Sequence, residues 1–348
     1  MDLLSSPQLL EIDSLSAEEW VEFAYSHPWH DGLPVVPPTE QAVARFLETC
    51  PPGLAPFDPV PPRQAVPTLE SLAANSVMAG CKPEYFPVVL AALRAVLMEQ
   101  YNLHGTLATT HSCAPMIMVN GPVRQRLGIA CGANCLGQGF RANATIGRAL
   151  QLILLNIGGA RPGDMDRATQ GSPAKYTYCF GENEEESPWD PYHVRLGFAP
   201  DESVVTLMSA EGPHNINDHA SVTGEGILTT MASVIAQSGA NTIYGAGPSL
   251  LLVGPEHAAT LKRDNWTVEK IREFLFRKAR VPEANVSPAN RASYAETDRV
   301  PLEGGYTYGP SPESLHIAVA GGPGKHSAWI PSFGYTDVAS CRIGTPAR

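Results

Sequence analysis

The chain has 348 residues, of which 43% are hydrophobic and 17% are charged, and its formal net charge is −11. A chain of this length and composition can bury the core of one large or two ordinary domains, which excludes a disordered protein. The longest apolar stretch, residues 146–157, contains polar side chains, and the first residues lack the basic and apolar pattern expected of a signal peptide. We therefore expect a cytoplasmic protein with no membrane contact. An acidic chain without a basic stripe also binds nucleic acids poorly, so no nucleic-acid partner is expected.

The chain carries seven cysteines, an odd number. In the reducing cytosol all seven thiols should be free, since disulfides are rare in that compartment. Any of them is therefore available in principle as a nucleophile, a redox group or a metal ligand.

Residues 1–67 are predicted to form an extended N-terminal arm. Nine of the eleven net negative charges fall within its first 60 residues. Ser16 is placed to cap a helix, with Glu19 completing a capping box, and Thr39 is placed to cap a second helix. The proline-rich residues 51–67 are typical of a linker or of a segment that wraps another surface. We expect this arm to serve in assembly of a homo-oligomer.

Residues 68–348 are predicted to form an α/β catalytic or ligand-binding region, which could divide into subdomains over about 68–200 and 201–348. Short apolar runs bounded by turn residues alternate in it with helical patterns. Strands are predicted over residues 116–120, 175–180, 203–208, 250–253 and 316–320, and helices over residues 68–80, 83–101, 143–158, 225–238, 256–263 and 267–280. This alternation predicts an α/β fold with mixed, partly parallel sheets and strand–Gly-Pro loop–helix units.

A Gly-Pro pair follows four of the predicted strands. The four pairs are Gly121-Pro122, Gly212-Pro213, Gly254-Pro255 and Gly322-Pro323. Three of the loops place a histidine within three residues of the proline: His214, His257 and His326. Equivalent exits of parallel strands meet at one edge of a sheet, where α/β proteins bind ligands. We therefore expect these histidines to face one cavity as acid–base groups, the alternative being that they only cap and turn the chain.

Two cysteines are candidate nucleophiles. Cys81 lies between Gly80 and Lys82, at the predicted start of a helix, where the helix dipole and the lysine would both favour a thiolate. Burial against that helix would act in the opposite direction. Cys113 has His111 two residues before it, and a Cys–His pair of this kind can form an activated nucleophile. The alternative for each cysteine is a small apolar residue of the core.

The patterns for a metal site are weak. His214 and His219 are five residues apart, which does not match the spacing of a helical zinc pair. Cys131 and Cys135 have three residues between them, whereas a redox or zinc pair has two. These four residues remain the candidates for a transition metal, and the two thiols could instead form a reversible disulfide or fill space in the core.

The segment from Gly321 to Ser327 is rich in glycine and contains Lys325 and His326. It departs from the pattern of a phosphate-binding P-loop, and no dinucleotide-binding glycine pattern opens a helix, so we expect no nucleotide cofactor. A glycine nest beside a lysine can still hold a carboxylate or phosphate. The candidate substrate-binding residues are Arg141, Asn143, Glu182, Asn183, Gly322, Gly324, Lys325 and Ser327.

Several long strings of the sequence resemble one bacterial family. They are residues 31–39 (DGLPVVPPT), 79–89 (AGCKPEYFPVV), 141–147 (RANATIG), 182–189 (ENEEESPW), 254–257 (GPEH) and 320–327 (AGGPGKHS). The family is largely uncharacterised and is associated with small partner proteins that carry a Cys- or selenocysteine-Gly-Ser-Cys (UGSC) motif. The resemblance covers nearly the whole chain and implies a shared fold, a thiol- or selenol-linked setting and a UGSC-type redox partner. This chain itself has no Cys-Gly-Ser-Cys string.

Three hypotheses about function follow. The first is an enzyme that acts on a small anionic organic molecule, as a cysteine-dependent lyase or reductase of a carbon–heteroatom bond. In it Cys81 or Cys113 is the reactive thiol, a histidine among His111, His214, His257 and His326 moves protons, and Arg141, Lys325 and the glycine nest hold the anion. The second is a metal-dependent (Fe or Zn) lyase or hydrolase with histidine and cysteine ligands. The third is a non-catalytic subunit of a thiol or selenol redox complex.

Overall fold

The computed structural model describes residues 10, 12, 14–245 and 247–344 of the chain. The α-helices of these residues are α1 Ala17–Tyr25, α2 Glu40–Leu47, α3 Leu69–Met78, α4 Phe86–Val96, α5 Leu103–Ala108, α6 Val123–Leu127, α7 Arg141–Ile153, α8 Tyr192–Arg195, α9 Gly224–Ile235, α10 Asn241–Tyr244, α11 Pro255–Arg263, α12 Val268–Lys278 and α13 Pro288–Glu296. The strands are β1 Ala114–Asn120, β2 Cys179–Gly181, β3 Val204–Ala210, β4 His214–Asn217, β5 Ser249–Val253, β6 Leu315–Val319, β7 His326–Ile330 and β8 Ala339–Arg342.

The strands form two four-stranded sheets, with the order β2-β1-β3-β8 in the first and β4-β7-β5-β6 in the second. In each sheet one pair of neighbours is parallel, namely β1 with β2 and β5 with β6. The remaining neighbours are antiparallel. The predicted α/β fold with mixed, partly parallel sheets is therefore confirmed.

The two sheets pack face to face and a layer of helices covers the outside of each. In β1, Ile117 belongs to the core formed with the helices of the first sheet, whereas its neighbour Met116 belongs to a second core. That second core also contains Leu250 of β5, whose neighbour Leu251 packs among the helices of the second sheet. Since successive side chains of a strand point to opposite faces, this division gives four layers, helix–sheet–sheet–helix.

The N-terminal arm wraps over the helical layer of the first sheet. Ser16 forms the predicted capping box with Glu19, and Thr39 caps α2 as predicted. Phe46 of α2 and Val60 of the proline-rich stretch are buried in the same core as the helices α3, α4 and α7. The arm thus shares a core with the region that follows it. Its residues 1–9, 11 and 13 lie outside the described residues, and its role in assembly stays a prediction.

The boundary expected near residue 200 does not separate the two sheets. The first sheet takes β1 and β2 from before this point and β3 and β8 from after it. The division of residues 68–348 into subdomains stays a prediction. Within the described part of the chain, no helix is both long enough and apolar enough to cross a membrane.

Some predicted elements have different ends. The single helix predicted over residues 83–101 is instead a 3₁₀ turn at Pro83–Tyr85, the helix α4 and a second 3₁₀ turn at Glu99–Tyr101. Pro87 explains the first break, because a proline lacks the N–H of a helix interior and fits only the first turn.

The short strands β4, β7 and β8 were not predicted, since their polar residues leave no clear alternation of apolar side chains.

Candidate active site

The four Gly-Pro turns are divided between different edges of the sheets. β5 and β6 are parallel neighbours, so the turns that follow them, Gly254-Pro255 and Gly322-Pro323, lie side by side. β1 and β3 are antiparallel, which sends Gly121-Pro122 and Gly212-Pro213 to opposite ends of the first sheet. The prediction that all four turns meet at one edge is therefore wrong, because it assumed parallel strands throughout.

His214 is separated from the other two loop histidines. It opens β4 opposite Trp329, whereas His326 opens β7 opposite Asn217, at the other end of β4. Paired residues share a face and successive residues alternate, so this register puts His214 and His326 on opposite faces of the second sheet. The expected single cavity lined by His214, His257 and His326 is not formed.

His257 is buried and hydrogen-bonded through both ring nitrogens. Its Nε2 donates to the Asp218 carbonyl oxygen at 3.1 Å, and its Nδ1 lies 2.8 Å from Ser327 Oγ. The Ser327 hydroxyl accepts from the Gly254 N–H at 3.0 Å, which leaves its own proton for the ring. Burial lowers the pKa of His257. These contacts are those of a neutral histidine that fixes the turn after β5.

His326 lies against His219, with 3.2 Å between their Nε2 atoms. The Nδ1 of His326 is 2.9 Å from Asn215 Oδ1, and Lys325 Nζ donates to the His219 carbonyl oxygen at 3.1 Å. The ammonium of Lys325 is therefore directed to the backbone of a neighbouring loop. Only two histidines meet here.

The predicted metal ligands are not brought together. His214 lies at the far end of β4 from the His219–His326 pair, and Cys131 and Cys135 are free thiols in the loop before α7. Burial raises the pKa of both thiols, that of Cys135 to about 11. Among the residues described, no three or more histidine, cysteine or acidic side chains are grouped so that they could hold a metal ion.

The glycine nest after β6 is occupied by other parts of this chain. The Gly324 N–H donates to Glu256 Oε1 at 2.7 Å. A Cβ on Gly322 would lie 2.7 Å from the Cβ of Ala133, so this glycine is required by close packing of the Cys131–Cys135 loop. One N–H of the nest is therefore bonded to a carboxylate of the protein itself, and binding of a substrate anion there stays a prediction.

Arg141 and Asn143 fix loops around the start of α7. The Arg141 Nε donates to the Gly80 carbonyl oxygen at 3.0 Å. Asn143 was predicted to cap this helix, but it lies inside, with Oδ1 accepting from the Ala130 N–H at 2.8 Å and Nδ2 donating to the Cys135 carbonyl oxygen at 3.0 Å. Both side chains are thus engaged with backbone groups.

Cys81 does not have the surroundings of an activated thiol. Its Sγ lies 3.2 Å from the Thr145 carbonyl oxygen, and the side chain is buried in the core of the helical layer. Burial raises the pKa of Cys81 to about 12, against the weaker opposing effects of Thr145 and Arg141. The structure therefore does not support a reactive Cys81, because burial disfavours its thiolate.

Glu182 and Asn183 connect the two sheets. Glu182 is fully buried, and its Oε2 accepts from Asn120 Nδ2 at 2.5 Å and from the Tyr192 N–H at 2.7 Å. Burial raises the pKa of its carboxyl. Asn183 bridges to the second sheet through its N–H, which donates to the Val319 carbonyl oxygen at 2.7 Å. Both positions are engaged in internal contacts.

Cys113 and His111 meet an acidic residue that the sequence did not single out. Cys113 precedes β1 and Glu211 follows β3, and the antiparallel pairing of these strands, with Ala114 opposite Ala210, brings the two ends together. His111 Nε2 lies 2.8 Å from Glu211 Oε1. The result is a Cys–His–Glu group assembled from two segments a hundred residues apart.

The electrostatics of this group favour a charged histidine. Burial by itself would lower the pKa of His111, but the neighbouring Cys113 and Glu211 outweigh it and raise the pKa to about 9. The protonated ring donates from Nε2 to Glu211, while its buried Nδ1 has no hydrogen-bond partner in the protein. Phe333 stacks on the ring with 5.9 Å between centroids. His111 is thus oriented on one side by Glu211, with the other nitrogen available.

A cavity of about 730 Å³ adjoins Cys113. Its wall is formed by the N-terminal arm at His30–Gly32, by α5, by the end of α7 and by the loop over residues 160–176. Cavities of this size hold small organic ligands. Cys113 is the one cysteine of the described residues that lines it. A reactive group expected from the sequence and a cavity that can hold a small ligand therefore coincide at Cys113.

No family model, curated protein or solved structure matches the chain. The resemblance to the family with UGSC-type partners stays an expectation.

Glu211 is the functional candidate that sequence reasoning missed. It lies next to the Gly212-Pro213 turn, so the local pattern was visible. Its partner His111 is distant in the chain, and only the pairing of β1 with β3 reveals the contact.

Proposed function

We propose that this protein is an enzyme that acts on a small anionic organic molecule, breaking a carbon–heteroatom bond with Cys113 as the nucleophile. The observation that carries the proposal is the position of Cys113 in the wall of the 730 Å³ cavity, with the His111–Glu211 pair beside it. A thiol, a base and an orienting carboxylate together form the arrangement of cysteine nucleophiles in many unrelated enzymes.

Each residue of the group has one role in this reaction. The Cys113 thiolate attacks the substrate carbon, and the electron pair of the breaking bond leaves with the heteroatom. The His111 imidazolium gives its proton to that leaving group, a contribution of roughly 10²–10⁴ in rate for a well-placed acid. Glu211 holds the ring in place and stabilises its positive charge, as the acidic member of a catalytic triad does.

The reductase form of the reaction needs an external reductant. The two remaining close thiols, Cys131 and Cys135, lie in a loop bonded to Gly181 at the carboxyl end of β2, whereas Cys113 precedes the amino end of β1. Seven residues of β1 separate these ends, roughly 23 Å of extended chain. A dithiol or selenol-thiol on the expected UGSC-type partner would therefore close such a cycle. One partner group would attack the Cys113 sulfur, so that the carbon leaves with the electron pair of the C–S bond and takes a proton. The second partner group would then displace Cys113 from the mixed bond, which returns the free thiol and leaves the partner oxidised.

Alkylation with iodoacetamide tests the proposed nucleophile without knowledge of the substrate. Cys113 should be the fastest of the seven thiols to react in the folded protein at neutral pH, as read by peptide mapping. His111→Gln should slow it, and Cys113→Ser should remove the fast phase. Cys179 is the matched control, because it is also buried but does not line the cavity. If Cys113 reacts no faster than Cys179, the proposal fails.

A further inference from the structure

The charges in the wall of the Cys113 cavity are unequally compensated. Four ionisable residues of its lining carry a formal charge at neutral pH: Asp31, Arg161, Asp166 and Lys175. Asp31 is neutralised by Arg148 through two hydrogen bonds of 2.7 and 2.8 Å. Lys175 Nζ lies 2.6 Å from Asp166 Oδ2, so that these two charges cancel.

Arg161 is the charge that remains. Its Nη2 donates to the Pro28 carbonyl oxygen at 2.7 Å, and among the described residues no carboxylate lies within ion-pair distance of it. Burial and the nearby Arg63 lower the pKa of its guanidinium, with Asp164 acting weakly in the opposite direction. A half-buried guanidinium in this setting gains from an added anion.

Two further polar groups of the same wall lack partners. The Nε2 of Gln151, near the end of α7, and the Oγ of Ser172 are both buried and make no hydrogen bond within the protein. Buried donors are nearly always paired in native proteins. The same wall therefore carries an amide N–H, a hydroxyl and a guanidinium without an acidic partner, which are donors of the kind that carboxylate oxygens accept from.

We infer that the cavity binds a substrate through a single carboxylate group, with Arg161 as the cation that holds it and Gln151 and Ser172 as neutral donors. That the reacting carbon lies at Cys113 rests on the proposed function. Recognition of the carboxylate is argued only from the residues that line the cavity. The substrate class is thus a small monocarboxylate with a heteroatom substituent. This set of residues replaces Arg141, Lys325 and the glycine nest, none of which lines the Cys113 cavity.

A pair of alkylating agents separates the two claims. Iodoacetate carries the carboxylate and a carbon–iodine bond, while iodoacetamide is its neutral counterpart. The quantity to measure is the rate of Cys113 with iodoacetate divided by its rate with iodoacetamide. This ratio is then divided by the same ratio for glutathione. The normalised ratio should be roughly ten, the usual effect of one charge-assisted contact. Arg161→Gln should abolish that preference, and Arg161→Lys should retain part of it.

The controls make each failure distinct. Arg167→Gln removes the same charge from the same loop without touching the cavity lining, so it should leave the ratio unchanged. A normalised ratio near one in the wild-type protein, or one that Arg161→Gln does not lower, overturns carboxylate recognition even if Cys113 remains the fastest thiol towards iodoacetamide. Slow reaction of Cys113 with iodoacetamide instead refutes the proposed nucleophile. In that case calorimetry with propionate still tests carboxylate recognition. The wild-type protein should bind propionate more tightly than Arg161→Gln does. Equal affinity of the two proteins, or no binding to the wild type, overturns the inference.

Discussion

His111 Nε2 and Glu211 Oε1 are 2.8 Å apart although their residues are a hundred positions apart in the chain. The contact exists because β1 and β3 are antiparallel neighbours in full register, from Ala114 opposite Ala210 to Asn120 opposite Val204. The residue before β1 and the residue after β3 must then lie close together. The same pairing places the thiol of Cys113 beside the ring and in the wall of the cavity.

Replacing Glu211 by glutamine should lower the pKa of His111. The amide keeps a hydrogen-bonding oxygen but removes the negative charge, so the imidazolium loses part of what raises its pKa to about 9. We expect a decrease of about one unit, typical for loss of a contacting opposite charge. Titration of the ring protons by NMR measures it, with Glu225→Gln, an exposed acid of α9, as the control. A pKa of His111 that stays at the wild-type value would show that Glu211 is not its charge partner.

The His111–Glu211 pair should stabilise the fold in a defined pH window. The pKa of His111 is raised on folding from 6.5 to about 9, so its contribution is complete below pH 6.5 and is lost as the pH rises through 9. The free energy of unfolding of Glu211→Gln should therefore fall below that of the wild type by about 1.4 kcal/mol at pH 6, the equivalent of one pKa unit. Near pH 10 the difference should be small. Urea unfolding at both pH values gives the comparison, and a pH-independent difference would contradict it.

Glu182→Gln should stabilise the protein at pH 8. Burial raises the pKa of this carboxyl, so ionisation becomes unfavourable to folding as the pH rises above the value of an ordinary glutamate. The glutamine keeps an acceptor for Asn120 and the Tyr192 N–H without a charge to bury. We expect a gain of about 1 kcal/mol at pH 8 and little change near pH 4. If Glu182→Gln instead loses more stability at pH 8 than at pH 4, the folded protein favours the ionised carboxylate of Glu182.

Phe46→Ala in the N-terminal arm should destabilise the whole chain. Phe46 is buried against Phe86, with 5.7 Å between ring centroids, in the core shared with α4 and α7. Loss of a buried phenylalanine costs about 3–5 kcal/mol. Thermal unfolding should show one transition at a lower temperature, whereas Arg45→Ala on the exposed side of α2 should change it little. An unchanged unfolding temperature for Phe46→Ala would indicate that the arm does not share the core of the rest of the chain.

Alkylation should leave Cys81 among the slowest thiols. Burial raises its pKa to about 12, and its Sγ is held at the Thr145 carbonyl oxygen. Cys81→Ala should also leave the reactivity of Cys113 unchanged, because Cys81 does not line the cavity. Peptide mapping after a short exposure to iodoacetamide gives both results. Rapid labelling of Cys81 would show that the core around it opens readily.

Local chemistry in the sequence predicted much of the fold. The capping residues Ser16 and Thr39 began their helices as expected, because caps depend on hydrogen bonds within four residues. The strands β1 and β5 were predicted because a strand that is buried on both faces appears in the sequence as a continuous run of apolar residues. The candidate pair of Cys113 and His111 also came from neighbours in the sequence.

The partners of those residues depended on the tertiary structure. Whether neighbouring strands run parallel or antiparallel is decided by pairing across long distances, and it separated His214 from His257 and His326 while joining His111 to Glu211. Cys81 and Cys113 are both buried, and only the tertiary structure shows that Cys113 has the cavity and the His111–Glu211 pair beside it. The uncompensated charge of Arg161 is likewise visible only when the neighbours of Asp31 and Lys175 are known. Sequence therefore determined which chemical groups the protein has, and long-range packing determined which of them are free to act.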